Sequence, residues 1–196
     1  MRTTVAMACA FIAFGCARRD ATSQAGGAPP TRAEIWVTIQ PLAARYRLDP
    51  AFVYALVAAE SNFNPAARNG EARGLLQIKP GSWRVVSSAR YDPMVWDWRA
   101  NLDAGNDYLP YSRSYLHKKT AFSYPLLLAA FHYGLDYVED RGFNMRRVPV
   151  PDSPIYRQLW AGNLTPVSIP QQTSSPDLRH KKARDRMIAG RKDRGS

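Results

Sequence analysis

Asp49-Pro50-Ala51-Phe52-Val53-Tyr54-Ala55-Leu56-Val57-Ala58-Ala59-Glu60-Ser61 is the stretch on which the reading of the fold turns. An aspartate followed by proline supplies a helix cap and a first helical residue that needs no N–H, so a helix is predicted over 51–61. Its apolar stripe is Phe52, Val53, Leu56 and Val57, and the next position on that face is Glu60. A carboxylate therefore continues a buried stripe. The apolar face desolvates it, and the last helical turn puts it at the negative end of the helix dipole; both favour the protonated form. A neutral carboxyl group of this kind can give its proton to a leaving oxygen, the part of a general acid. A lone helix-end glutamate is more often a solvated surface residue, so the neighbouring motifs must decide.

Working outward, Thr31 and Glu34 have capping-box spacing, and Ile35, Ile39 and Leu42 recur helically after them, with Pro41 expected to kink or split that helix. Further helices are predicted over 80–88, 100–108, 125–133 and 153–160, with Gly134 as a C-terminal cap. The Asp-, Pro- and Trp-rich stretch 91–98 reads as a structured loop. No run alternates as a strand does, and no segment repeats. The fold class expected is mainly α, a single helical domain over 31–164. It follows a linker of Ala, Arg, Ser, Gly and Pro composition over 17–30 and precedes a disordered basic tail over 165–196.

The 196 residues are 45 % hydrophobic and 22 % charged, enough for one well-buried core. Five Trp, ten Tyr and seven Phe suit either such a core or a groove whose flat rings stack on sugars or bases. The formal charge of +11 favours a polyanionic neighbour, whether nucleic acid, anionic lipid or an acidic wall polymer. From Gln171 onward, eight Lys or Arg stand against three Asp, so the tail carries much of that excess.

Cys9 and Cys16 are the only cysteines, which excludes a disulfide framework for the folded body. Arg2, the apolar run 5–14, Gly15 and Cys16 have the layout of a secretory signal, occupying 1–16, and the run is too short to span a bilayer. Ala13-Phe14-Gly15-Cys16 is similar to the lipobox of bacterial lipoproteins, which implies lipidation of Cys16 and, with Ala17 next, the outer membrane. The other reading is a plain signal cleaved near Ala25. Either one exports the chain to the periplasm, which conflicts with binding nucleic acid.

Glu60-Ser61-Asn62-Phe63-Asn64-Pro65 followed by Arg73-Gly74-Leu75-Leu76-Gln77-Ile78-Lys79-Pro80 resembles the lytic transglycosylase family of the soluble, goose-lysozyme-like (SLT) type. Three later segments agree in order: Asn101-Leu102 with Gly105, Tyr108 and Leu109; Ala130-Phe131-His132-Tyr133-Gly134; and Asp152-Ser153 with Tyr156. Together they cover about residues 35–160.

The resemblance implies a lysozyme-like fold and cleavage of the β-1,4 bond between N-acetylmuramic acid and N-acetylglucosamine in peptidoglycan glycan strands. Glu60 falls on the catalytic acid, which then takes the proton of the sugar's own 6-hydroxyl to leave a 1,6-anhydro end. No second carboxylate is needed for that, and Glu71 falls in a variable turn. Gln77 falls on a groove glutamine whose amide can both donate and accept. Tyr156 falls on a tyrosine near the acid, and Ser61 is a supporting hydroxyl beneath Glu60 rather than a nucleophile. Gly74 allows a tight backbone approach.

Two departures stand out. Phe131-His132 replaces a Tyr-Asn pair, and Asn69 stands where the family has a serine; all three are expected to line the substrate groove. His117, His132 and His180 share no metal-ligand spacing with Cys, Asp or Glu, so neither metal nor other cofactor is expected. The chain is expected to act as a monomer. Two rival readings remain: a lysozyme-like hydrolase on the same fold, and an inactive scaffold that grips wall glycan.

Overall fold

The computed structural model describes residues 28–171. Cys9 and Cys16, most of the stretch 17–30 expected as a linker, and residues 172–196 lie outside them. Among the described residues the protein is eight α-helices, one 3-10 turn and a minimal hairpin, and no helix is long and apolar enough to cross a membrane.

Helix α1 (Arg32–Arg45) starts at the expected capping box, in which Thr31 Oγ1 accepts from the Glu34 N–H and Glu34 returns a bond to the Thr31 N–H. Pro41 neither kinks nor splits it. Pro41 is exposed, and Val37, whose carbonyl loses its partner to the proline, is 54 % exposed, so water can satisfy that carbonyl. Helix α2 (Pro50–Ser61) is capped by Asp49, which accepts from Ala51 N–H. The expected stripe understates its burial: every residue from Ala51 to Ala58 is buried, so α2 is wrapped on all sides, by α1 among others. It ends at Asn62 in the left-handed conformation, φ 49°, which asparagine tolerates.

A two-residue antiparallel pair, β1 (Arg68–Asn69) and β2 (Ala72–Arg73), then forms where no strand was expected. Helix α3 (Pro80–Val86) is followed by a short α4 (Tyr91–Met94) in the stretch read as a loop. Helix α5 (Trp98–Lys118) begins under an Asp97 cap and runs well past the expected end at 108, straight through Pro110. Removing one backbone bond costs an isolated helix about 3 kcal/mol. Leu109, Ser112 and Leu116 are buried as α5 packs against α1, α3 and α6 (Tyr124–Tyr133), and that tertiary burial carries the helix across the break.

Helix α6 opens at Ser123 and closes on Gly134 at φ 105°, as expected of the cap. The sequence did not announce α7 (Leu135–Glu139) or the 3-10 turn Met145–Arg147. Helix α8 (Pro154–Trp160), capped by Ser153, packs against α2 and α6. Beyond the expected domain end at 164, Val167 still rests against the core.

The loop between the hairpin and α3 is fastened to α5 by one buried side chain. Asn101 Oδ1 accepts from Leu76 N–H at 2.8 Å, and its Nδ2 donates to Arg73 O at 2.9 Å and Val95 O at 3.2 Å. Gly74, at φ 79°, lies so close that a Cβ there would sit 2.3 Å from Asn101 Nδ2, which is the tight approach expected of it. One turn further along α5, a Cβ on Gly105 would meet Leu76 at 2.2 Å (Cδ1) and 3.1 Å (Cβ). Leu76 is fully buried and has nowhere to retreat. Overpacking of this kind costs about 1–3 kcal/mol, against a helix-propensity gain of up to about 1 kcal/mol for alanine over glycine. Gly105→Ala is therefore expected to lower the thermal unfolding midpoint by several degrees; a midpoint equal to or above the parent's would contradict this packing.

Candidate active site

A cleft of about 440 Å³ opens above the C-terminal end of α2. Glu60 reaches it from α2; Asn69, Gly70, Glu71 and Ala72 come from the hairpin; Gln77, Ile78 and Lys79 from the loop behind it; Ser82 from α3; Tyr108 from α5; and Phe131, His132 and Tyr133 from α6. Glu60, Asn69, Gln77, Phe131 and His132, all expected at one groove, are thus brought together.

Glu60 is held from two other helices. The Tyr156 hydroxyl, on α8, donates to Glu60 Oε1. His132 Nδ1, on α6, lies 3.1 Å from the Tyr156 oxygen and 3.4 Å from Glu60 Oε1. The Glu60 side chain is only 9 % exposed, while the His132 side chain, on the cleft side, is 28 % exposed. Burial first, and then the Glu60 charge and hydrogen bond, push the Tyr156 phenol well above its usual range, so it keeps its proton and remains a donor. Tyr156 does not line the cleft; it stands behind the carboxylate, 2 % exposed.

Ser61 does not reach the carboxylate. Its hydroxyl donates to Val57 O at 3.0 Å, one turn back, and so serves the end of α2 rather than the acid. Gln77 lines the cleft, but both of its amide hydrogens are engaged, to Ala67 O at 3.1 Å and Gly74 O at 2.8 Å. Those two carbonyls also fix which end of the amide is nitrogen. What remains for a ligand is the Oε1 acceptor alone, a correction to the donor-and-acceptor role expected. Gln77 itself sits at φ 47°, a conformation a side chain seldom adopts without support from such bonds. Cys16 lies outside the described residues.

Glu71, set aside from the sequence as part of a variable turn, lines the same cleft. Tyr91 holds that turn, its hydroxyl shared between Glu71 O at 2.9 Å and Ile78 O at 2.8 Å. Burial pushes the Tyr91 phenol up to about 12, so the bond persists over the working pH range. Lys79, Ser82, Tyr108 and Tyr133 were also missed as lining residues. Lys79 and Ser82 flank the start of α3, and Tyr133 directly follows His132, so adjacency to motif residues was the available signal. Among the described residues, no three His, Cys, Asp or Glu side chains cluster as a metal cage.

The arrangement is one nearly buried carboxyl group, hydrogen-bonded from behind, at the base of a polar cleft with aromatic walls. That suits proton donation to a polyhydroxylated ligand. No curated protein matches the chain. Among solved structures it is similar to an inactive mutant of the lytic transglycosylase Slt from Pseudomonas aeruginosa, with 18 % identity and a TM-score of 0.47, covering 66 % of this chain and 22 % of that one. The sequence matches the family described as Transglycosylase SLT domain over residues 38–145. That match takes in more than half of the chain, including Glu60 and every residue that lines the cleft, and the chain belongs to the transglycosylase SLT domain family.

Proposed function

We propose that the chain is a peptidoglycan lytic transglycosylase that cuts the β-1,4 bond between N-acetylmuramic acid and N-acetylglucosamine and leaves 1,6-anhydromuramic ends. The observation that carries this reading is the placement of Glu60 at the base of the cleft, with Tyr156 and His132 on one of its oxygens. In the first step the Glu60 carboxyl protonates the bridging oxygen as the C1–O bond breaks, and the departing sugar leaves as an alcohol. In the second, the Glu60 carboxylate takes the proton of the muramic 6-hydroxyl as that oxygen bonds to C1. No water is consumed, and the enzyme ends as it began. Asn69 and the Gln77 Oε1 offer a hydrogen-bonding wall, while the half-buried Phe131 offers a ring for sugars.

A second reading, lysozyme-like hydrolysis, is favoured by one observation: Glu71 gives the cleft a second carboxylate. Such a group could activate water on the opposite side of the sugar. It hangs from a turn, whereas Glu60 is held by two helices, so the single-acid route is preferred.

Purified wall sacculi incubated with the full chain are expected to release soluble glycan fragments, and no release above a buffer control would reject the proposal. Tyr156→Phe removes the phenol that orients the carboxyl and is expected to slow release about 10- to 100-fold without loss of fold; an unchanged rate would remove Tyr156 from the machinery.

Export to the periplasm, a lipid on Cys16, attachment to the outer membrane and attraction of the basic tail to anionic surfaces are part of the same proposal. Incorporation of labelled lipid that disappears in Cys16→Ser is the expected result for the anchor; persistence of label in that variant would reject it.

A further inference from the structure

His132, part of the Phe131-His132 departure from the family pattern, occupies the centre of a three-way contact. Its Nδ1 faces two oxygens, Tyr156 Oη at 3.1 Å and Glu60 Oε1 at 3.4 Å. Tyr156 has a single hydroxyl hydrogen, and the carboxylate oxygen is the stronger acceptor in reach, so that hydrogen goes to Glu60. The phenolic oxygen is then left to accept. A bare Nδ1 would aim its lone pair at the lone pairs of both oxygens, whereas a protonated Nδ1 satisfies them. The ring is also fixed in rotation. It packs edge-on against Tyr133, with ring centroids 4.6 Å apart at 90°, and at 62° against Tyr156, 4.9 Å away.

We propose that His132 is a positioning residue: its Nδ1–H, with the Tyr156 hydroxyl, engages Glu60 Oε1, so that the proton given to the glycosidic oxygen is carried on Oε2. The proposal rests on the cleavage reading above and adds to it which oxygen does the chemistry. Oε1 has its lone pairs turned to the Tyr156 and His132 donors, which leaves Oε2 as the atom able to hold a proton. In the neutral ring, Nε2 bears no hydrogen, so toward the cleft His132 is an acceptor, where an amide side chain would also offer a donor.

The test uses the full chain labelled with ¹⁵N-histidine, together with soluble, uncrosslinked glycan chains from purified walls as substrate. In the neutral ring, the His132 signal, identified by its disappearance in His132→Asn, is expected to show Nδ1 protonated and Nε2 bare; the opposite tautomer overturns the proposal. In the rate assay His132→Phe is expected to lower kcat about 10- to 100-fold with KM within about twofold. His132→Asn, whose amide can still donate to Tyr156, is expected to recover most of kcat. A parent-like kcat in His132→Phe, with its circular dichroism unchanged, overturns the proposal, as does a kcat in His132→Asn no higher than in His132→Phe. If the parent releases no fragments at all, it is the cleavage reading that fails, and the tautomer spectrum still upholds or overturns the positioning of Glu60 by His132.

Discussion

Glu60→Gln is expected to abolish cleavage of wall glycan, lowering the rate by about 1,000-fold or more, while the protein stays folded. The amide keeps the shape of the side chain but has no proton to give to a leaving oxygen and cannot take one from a 6-hydroxyl. Both steps assigned to this residue fail together, so the loss should appear in kcat far more than in glycan binding. The expected phenotype is a variant that still sediments with sacculi and releases nothing. Release within tenfold of the parent would mean that the acid lies elsewhere, with Glu71 the first place to look because it lines the same cleft. Loss of binding as well as of release would instead recast Glu60 as a contact to sugar.

The other large effect is expected far from the carboxyl, at Asn101. Asn101→Leu removes three hydrogen bonds at once and leaves the Leu76 N–H and the Val95 carbonyl without a partner, while the Arg73 carbonyl keeps the bond from Ile78 N–H. An orphaned buried polar group costs about 1–3 kcal/mol, so the two together cost roughly 2–6 kcal/mol, a large share of the roughly 5–15 kcal/mol that stabilises an ordinary domain. The thermal midpoint is expected to drop by about 10 °C or more. The loop so fastened also carries Gln77 to the cleft, and activity well below the midpoint should fall as that wall loosens. A midpoint within about 2 °C of the parent's would show that the fastening is replaceable.

These two residues mark what the sequence made legible and what it did not. The α2 helix was readable because its signals are local: Asp49-Pro50 at the start, an apolar stripe, and Glu60 next on that face. The capping box of α1 and the Gly134 cap were local in the same way. Pro41 misled, and the helix expected over 100–108 runs on through Pro110, because local rules price a proline in an isolated helix. One lies on a surface where water replaces the lost bond, and the other in a helix buried against three neighbours. The grouping of Glu60 with His132 and Tyr156, 72 and 96 residues away, is created only by packing α2, α6 and α8 together. Order of motifs pointed to those side chains, but spacing could not say that Tyr156 stands behind the acid, that Ser61 turns back to Val57, or that the Gln77 nitrogen is consumed by its own turn. Glu71 was hidden for the converse reason: a turn residue with no periodicity comes to a site only through the hairpin that bends it there.

A single side chain that first gives and then takes a proton leaves a chemical record in its product. Sacculi digested by the full chain should yield glycan fragments whose muramic ends weigh one water less than hydrolysed reducing ends and resist borohydride reduction. Fragments ending in reducible sugars at full hydrated mass would contradict the account, because a water molecule, and a second group to activate it, would then have taken the place assigned to the 6-hydroxyl and Glu60.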